Sequence, residues 1–332
     1  MSEVYISKEE YKRRKNINNS VVPAGKDQMV DFGIFGYEPF NNVVFNNKGQ
    51  YICVYKIKAD SVTSLNSFLS ILCANLSQRF RISSFFQNSE KGFGFNLFLS
   101  LFYEVNSYFD ASQEIEKHVK AFESFPGQVK AEQLELDKIL LYWNMFLNSS
   151  LLSNVKFSSV MGQNGYRKYM QNPMIEVDES NPNIFKVSDS YFMSLNVYLN
   201  MKDLKSFPVS MFKNFDKVYL AQDVYKIDSE ILDLYDKMLY LNYHVTLDDA
   251  IAEKYDYVNY SVILTLFHND IDVLLKHVND FIKICSERGY KMTYCMSDEE
   301  YCFQSLCSFG IKDFVNMHIM KLDDVIRFYE EV

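Results

Sequence analysis

The chain has 332 residues, a length that predicts about two domains or lobes. It is 48% hydrophobic and 23% charged, which provides ample apolar material for a core and excludes an intrinsically disordered chain. The net charge of −9 arises in residues 176–332, which contain 15 Lys and Arg and 27 Asp and Glu, whereas residues 1–175 contain 19 Lys and Arg and 16 Asp and Glu. The excess of acids in residues 176–332 argues against a nucleic-acid-binding surface there.

Residues 1–30 are predicted to form a flexible N-terminal arm, because Asn, Pro and Gly interrupt every periodic pattern. The arm contains Lys12, Arg13, Arg14 and Lys15, which suit either peripheral contact with an anionic membrane surface or a solvated tail. It lacks the apolar segment of a signal peptide, and no apolar run in the chain approaches the ~20 residues of a membrane-spanning helix. We therefore expect a cytoplasmic protein, either free or held at the inner face of the cell membrane.

Residues 31–153 are predicted to form a first α/β lobe. Two β-prone runs, residues 43–45 and 50–58, flank Gly49, which can supply the positive φ of a hairpin turn. Apolar residues then recur every three or four positions over residues 62–76, which predicts an amphipathic helix.

Two further strands and two helices complete this lobe. Residues 81–86 and 93–103 are β-prone, and the second run alternates apolar side chains onto one face. Helices are predicted around residues 115–122 and 134–143, separated by a Pro-Gly pair. Residues 154–183 contain two Gly and two Pro with little periodicity, so they are predicted to be a linker.

Residues 184–332 are predicted to form a second α/β lobe. It begins with a strand around residues 185–199, followed by a helical stretch broken at Pro208 and by helices between residues 228 and 254. It closes with a strand, a helix, a strand and a helix over residues 256–267, 269–288, 289–296 and 297–309, with Asn269 as a candidate helix cap and Gly289 as the helix end. The predicted fold class is therefore α/β in the α+β sense, with two lobes that each hold a small mixed sheet and packed helices.

Motifs for catalysis are not found. The sequence has no G-x-x-x-x-G-K-[ST] phosphate loop and no G-x-S-x-G nucleophile turn, and the isolated Gly92-Phe93-Gly94 suits the start of a strand better than a phosphate cradle. None of the five histidines has a motif partner. We therefore predict no catalytic or cofactor-binding residues and a chain that is not an enzyme.

Metal binding is likewise not predicted. His268, Asp270, Asp272 and His277 are close in sequence, but they lie at a strand-to-helix turn where capping acids are expected. The six cysteines show no C-x-x-C spacing, which favours buried reduced thiols over a zinc site.

Three stretches carry a family resemblance. They are the hairpin of residues 43–57, the strand of residues 191–199, and the closing section of residues 260–289 and 299–306. This closing section is followed by Met320, Leu322, Asp324 and Phe328. Over residues 31–332 the chain thereby resembles the N-terminal, non-ATPase region of the conjugative type IV secretion ATPases, the TrbE and CagE kind. It departs from that family at residues 307–310, which lack the usual Pro-Gly, and in lacking the ATPase motor.

The resemblance implies a docking and assembly module of a conjugative type IV secretion system. Its expected partners are membrane components of the secretion machine and ATPase subunits. The acidic second half suits a basic partner surface, and its acids equally suit solubilising helix faces. Two alternatives remain open: an enzyme whose site is assembled between the lobes without a motif, and a single-stranded nucleic-acid-binding protein that uses the slightly basic first lobe.

Overall fold

The structure is a computed structural model, and it describes the following part of the chain: residues 22–23, 34–38, 41–46, 49–75, 79–89, 92–123, 128–135, 138–139, 175–177, 181, 183–187, 190–199, 207–227, 240–241, 244–246, 248–249, 257–295 and 318–326.

Fourteen strands and four helices are defined in this part of the chain. The strands are β1 (Val22–Pro23), β2 (Ile34–Glu38), β3 (Val43–Asn46), β4 (Tyr51–Ala59), β5 (Arg79–Ser89), β6 (Gly92–Tyr103), β7 (Val129–Gln133), β8 (Ile175–Val177), β9 (Phe185–Val187), β10 (Ser190–Leu199), β11 (Lys217–Lys226), β12 (Tyr257–His268), β13 (Tyr290–Tyr294) and β14 (His318–Lys321). The helices are α1 (Val62–Asn75), α2 (Tyr108–Glu123), α3 (Ile271–Glu287) and α4 (Leu322–Ile326), with a 3-10 helix at Val209–Asn214.

All fourteen strands belong to one sheet. Its main order is β1-β2-β3-β4-β6-β5-β11-β12-β10-β9-β8; β7 is added beside β4, β13 beside β10 and β14 beside β12. Every pairing between these strands is antiparallel. The predicted α+β class is confirmed, but the strands form one antiparallel sheet instead of a small mixed sheet in each lobe. The strands of the two predicted lobes are joined directly, because β5 pairs with β11 over nine residue pairs.

Each half of the sheet has the same topology. In the first half, β4-α1-β5-β6-α2-β7 follow one another along the chain and lie in the order β7-β4-β6-β5. In the second half, β10, β11, β12, α3 and β13 follow one another and lie in the order β13-β10-β12-β11. This is the strand order of the split βαβ, or ferredoxin-like, arrangement, in which each crossover skips one strand.

The two halves are a structural repeat. Adding 138 to the residue number of each position in β5 gives the equivalent position in β11. When β5 and β11 are matched in this way, the pairing registers match β4 with β10, β6 with β12 and β7 with β13. The repeat also includes the flanking hairpins, β2 with β3 and β8 with β9. An approximate two-fold axis then passes between Ser83 of β5 and Ala221 of β11, which lie opposite each other. The main difference is the connection before the last strand pair: residues 90–91 join β5 to β6, whereas residues 227–256 join β11 to β12.

The helices pack on one face of the sheet. Alternation along the strands places Leu97, Leu99 and Leu101 of β6 on this face, in one apolar core with Leu65 of α1 and Phe281 of α3. Helix α3 is capped by Asp270, whose carboxylate accepts hydrogen bonds from the backbone N–H groups of residues 272 and 273. It ends before Gly289, which has φ +91°.

The opposite face of the sheet is buried as well. Its residues include Ile52, Phe102, Tyr257 and Ile263, each no more than 2% exposed. Two-sided burial explains why several strands lack a simple alternation of polar and apolar residues.

Several local predictions match the structure. The hairpin of residues 43–58 is β3 and β4, and its Gly49 has φ +83°. The predicted helix of residues 62–76 is α1, and the Gly92 motif is the start of β6. The predicted strand of residues 256–267 and the helix after it are β12 and α3.

Other elements were not predicted. Strands β2, β7, β11 and β14 have no counterpart in the sequence analysis, and β8 lies within the predicted linker of residues 154–183. The strand that follows α3, β13, pairs with β10, which lies between it and β12. The predicted helix of residues 297–309, and residues 1–30 except for Val22 and Pro23 of β1, lie outside the described part of the chain.

Candidate functional site at the joint between the two halves

The main buried polar cluster lies where the two halves meet. Arg79 and Arg81 alternate along β5 with Phe80 and Ile82, which belong to the helix-covered core. Both arginines therefore lie on the opposite face of the sheet. Asp223 of β11 lies directly opposite Arg81 in the β5–β11 register, and all three side chains are no more than 1% exposed.

The carboxylate of Asp223 accepts hydrogen bonds from both guanidinium groups. Arg79 donates from Nε to Oδ1 at 3.1 Å and from Nη2 to Oδ2 at 2.6 Å. Arg81 donates from Nε to Oδ1 at 3.4 Å and from Nη2 to Oδ2 at 2.7 Å. Paired contacts from two planar guanidinium groups hold the carboxylate in a fixed orientation.

The electrostatics of the cluster keep Asp223 ionised. Burial by itself would raise the pKa of this carboxyl, but the positive charges of Arg79 and Arg81 and their hydrogen bonds outweigh it and hold the pKa below its ordinary value. The guanidinium of Arg79 also lies between two aromatic rings, 4.4 Å from the ring centre of Phe102 and 4.5 Å from that of Tyr225. These cation–π contacts join β6 and β11 through one side chain.

Polar residues extend from the cluster across the sheet. Ser100 of β6 lies opposite Arg81, and Ser261 of β12 lies opposite Asp223, so a polar row crosses four adjacent strands. The hydroxyls of Ser194 and Thr265, further along the same face, share a hydrogen bond of 2.9 Å. The Arg79, Arg81 and Asp223 contacts and the Ser194–Thr265 hydrogen bond thus supply polar cohesion between strands whose neighbours are mainly aromatic and aliphatic.

Lys217 is a second buried charge on the same face. It begins β11, is 4% exposed and lies opposite Phe267 of β12. Burial lowers its pKa to about 8, and the nearby carboxylate of Asp216 opposes this effect. A lysine in this state loses its proton more easily than a lysine on the surface.

Two of the histidines, His118 and His268, make structural hydrogen bonds. The ring of His118 on α2 shares a hydrogen bond of 2.9 Å with the hydroxyl of Tyr103 on β6, and burial lowers the pKa of His118. The Nδ1 atom of His268 accepts from the backbone N–H of Asp270, whose carboxylate caps α3. The predicted capping role of this turn is confirmed, with Asp270 as the cap instead of Asn269.

The remaining sequence candidates can be placed only in part. Lys12, Arg13, Arg14 and Lys15 lie outside the described residues. Within the described ranges, no group of three or more His, Cys, Asp or Glu side chains is arranged to hold a metal ion. Three cysteines of the described part are free buried thiols: Cys53, Cys285 and Cys295. No helix in that part is both long and apolar enough to cross a membrane.

The sequence analysis missed Arg79, Arg81 and Asp223. A signal was available, because charged residues at two alternate positions of an otherwise apolar strand must share one face, as Arg79 and Arg81 do. Their partner could not be found in this way, since Asp223 lies 142 residues further along the chain than Arg81.

Comparisons with known proteins do not assign a family. No protein-family model and no curated protein matches the chain. Among solved structures, berberine bridge enzyme in complex with (S)-reticuline is similar at 10% identity and a TM-score of 0.27, over 74% of this chain and 40% of that one. A protein of Fusobacterium nucleatum named as a monooxygenase is similar at 12% identity and a TM-score of 0.17, over 74% of this chain and 91% of that one. At these TM-scores neither likeness carries an argument about fold or activity.

Proposed function

We propose that this chain is a docking and assembly module of a conjugative type IV secretion system, with no catalytic residues of its own. It would act in the cytoplasm, at the inner face of the membrane, where it binds membrane components of the machine and ATPase subunits. The family resemblance of the hairpin, of β10 and of the closing section supports this proposal. Two halves joined in one sheet and fastened by a buried ion cluster would give such a module a rigid frame.

The observation that carries the proposal is an exposed apolar pair in the connection between β11 and β12. Tyr240 and Leu241 are 55% and 60% exposed, and Asp248 and Asp249, also exposed, follow within ten residues. The corresponding connection in the first half of the repeat consists of residues 90–91 alone. Residues 228–256 carry eight Asp and Glu against two Lys, a net charge of −6. This is half of the net charge of −12 that residues 176–332 carry. Exposed aromatic and aliphatic side chains beside acids suit a protein partner with an apolar pocket and a basic rim.

The proposal is tested by binding the purified full chain to the membrane proteins and ATPases encoded beside it. The double variant Tyr240→Ser with Leu241→Ser is expected to weaken binding at least ~10-fold, since exposed anchors of this kind contribute several kcal/mol at interfaces. Phe109→Ser is the matched control, because Phe109 is 57% exposed on α2 of the other half, and its effect should stay within about 2-fold.

Ionic strength provides a second test of the same complex. Binding should weaken as salt rises from about 0.05 to 0.5 M, because charges at an interface rim are screened beyond about one Debye length. Binding that is unaffected both by salt and by the Tyr240 and Leu241 substitutions would count against the proposal.

A further inference from the structure

We infer that the ion cluster makes the joint between β5 and β11 directional, so that each half of the protein pairs with the other half and rejects a copy of itself. The interaction surface is the β5 edge of the first half, and the partner that it fits is the β11 edge of the second. The inference concerns how the protein is assembled, and it does not depend on the proposed function.

The repeat makes self-pairing geometrically possible. The two halves share one topology and meet about an approximate two-fold axis between Ser83 and Ala221. A joint of this kind has the form of the symmetric contact in a two-fold dimer. The backbone of β5 could therefore pair with a second β5, and that of β11 with a second β11, in the register seen between β5 and β11.

The side chains decide against both like pairings. In a β5–β5 pair the observed register would place each Arg81 opposite Phe85 and each Arg79 opposite Gln87, so that all four guanidinium groups would be buried without Asp223. In a β11–β11 pair each Asp223 would lie opposite Tyr219, without a guanidinium. A buried charge that loses its partner is strongly unfavourable, so only the mixed pair places the carboxylate between arginines.

The charges also break the symmetry of the observed joint. The two-fold axis relates the pair Arg81–Asp223 to the pair Phe85–Tyr219 on its other side. Phe85 and Tyr219 are each 4% exposed, so both pairs are buried while only one is ionic. A buried polar contact placed on one side of a symmetric interface selects one pairing among otherwise similar ones, as complementary charges do in other specific interfaces.

The test uses the full chain with a protease site inserted between residues 153 and 154. The folded protein is cleaved, unfolded in urea and refolded, and the composition of the pairs is read by native mass spectrometry. Mixed pairs should exceed like pairs by roughly 100-fold, the ratio expected when like pairing leaves buried charges without a partner. Random pairing would give mixed and like pairs in a ratio of about 1 and would overturn the inference.

The matched variant replaces the cluster by apolar residues, Arg79→Met with Arg81→Leu and Asp223→Leu. Apolar replacement of a buried ion group commonly preserves folding, and like pairs should then rise at least ~10-fold relative to the unsubstituted cleaved protein. Mixed pairs that remain as dominant as before would show that the ions do not select the partner.

A second variant keeps the test decisive if the apolar variant does not refold. Arg81→Asp is combined with Asp223→Arg, and this cleaved protein is mixed with the cleaved, otherwise unsubstituted chain carrying an isotope label. The halves should sort so that charges of opposite sign meet across the joint at least ~10-fold more often than charges of like sign. Sorting without regard to charge, or failure of the reversed pair to form at all, would overturn the inference.

Discussion

Substituting Asp223 by Asn removes one negative charge from the joint and leaves the shape of the side chain almost unchanged. The carboxylate accepts four hydrogen bonds of 2.6–3.4 Å from Arg79 and Arg81. An amide oxygen is a weaker acceptor and the amide NH2 group repels the guanidinium donors, so the two buried arginines lose their counter-ion. We expect the free energy of unfolding at pH 7 to fall by about 3–5 kcal/mol, as for other buried ion pairs with one partner removed.

The same substitution changes the response to acid. The pKa of Asp223 is lower in the folded protein than its ordinary value of 3.8, so the carboxylate contributes stability that is present above pH 3.8. This contribution is lost as the pH falls through the lower, folded-state pKa. The deficit of Asp223→Asn relative to the unsubstituted protein should therefore be constant between pH 5 and 7 and shrink in stronger acid.

Urea unfolding followed by circular dichroism measures both effects. Asp280→Asn is the matched control, because Asp280 lies on the exposed side of α3, and its effect should stay within about 0.5 kcal/mol. A loss below about 1 kcal/mol for Asp223→Asn, or a deficit that does not depend on pH, would refute the assignment of Asp223 as the buried counter-ion of the joint.

Three further substitutions test other parts of the fold. Lys217→Met should raise the free energy of unfolding at pH 7 by about 1–3 kcal/mol, because the pKa of about 8 means that the folded state disfavours the charged amine. This gain in stability should disappear as the pH rises from 8 to 10.5. A stability difference that stays unchanged over that pH range in urea titrations would contradict the prediction. Phe281→Ala should lower the free energy of unfolding by about 3–5 kcal/mol in calorimetry, since Phe281 is fully buried among Phe207, Phe212 and Phe215. A loss below about 1 kcal/mol would show that this aromatic cluster does not hold α3 on the sheet. Asp270→Ala should cost about 1 kcal/mol and speed hydrogen exchange in the first turn of α3, whereas unchanged exchange would argue against the cap.

The sequence analysis succeeded where one face of an element is buried. Helix α3 shows this best, because its buried Leu274, Val278, Phe281 and Cys285 recur at helical spacing between Asp270 and Gly289. The hairpin of β3 and β4 was predictable for a related reason, since Gly49 permits the positive φ that its turn requires.

Strand β11 was missed because it is buried on both faces and carries Lys217, Gln222 and Asp223 among its apolar residues. A strand at the centre of a sheet lacks a clean alternation, and its polar residues are stabilised by partners on other strands. The repeat escaped detection for a similar reason. Its correspondence lies in strand register, and most corresponding side chains differ, although Tyr51 and Tyr191 occupy equivalent positions.

Local periodicity and capping by themselves determined the presence of α1, α3 and the hairpin, because these features depend on residues within about twenty positions of one another. The pairing of β5 with β11, the likeness of the two halves and the meeting of Arg79 and Arg81 with Asp223 were decided only by the tertiary structure. These contacts join residues at least 130 positions apart, and whether a buried charge is tolerated depends on which charge the folded chain brings against it.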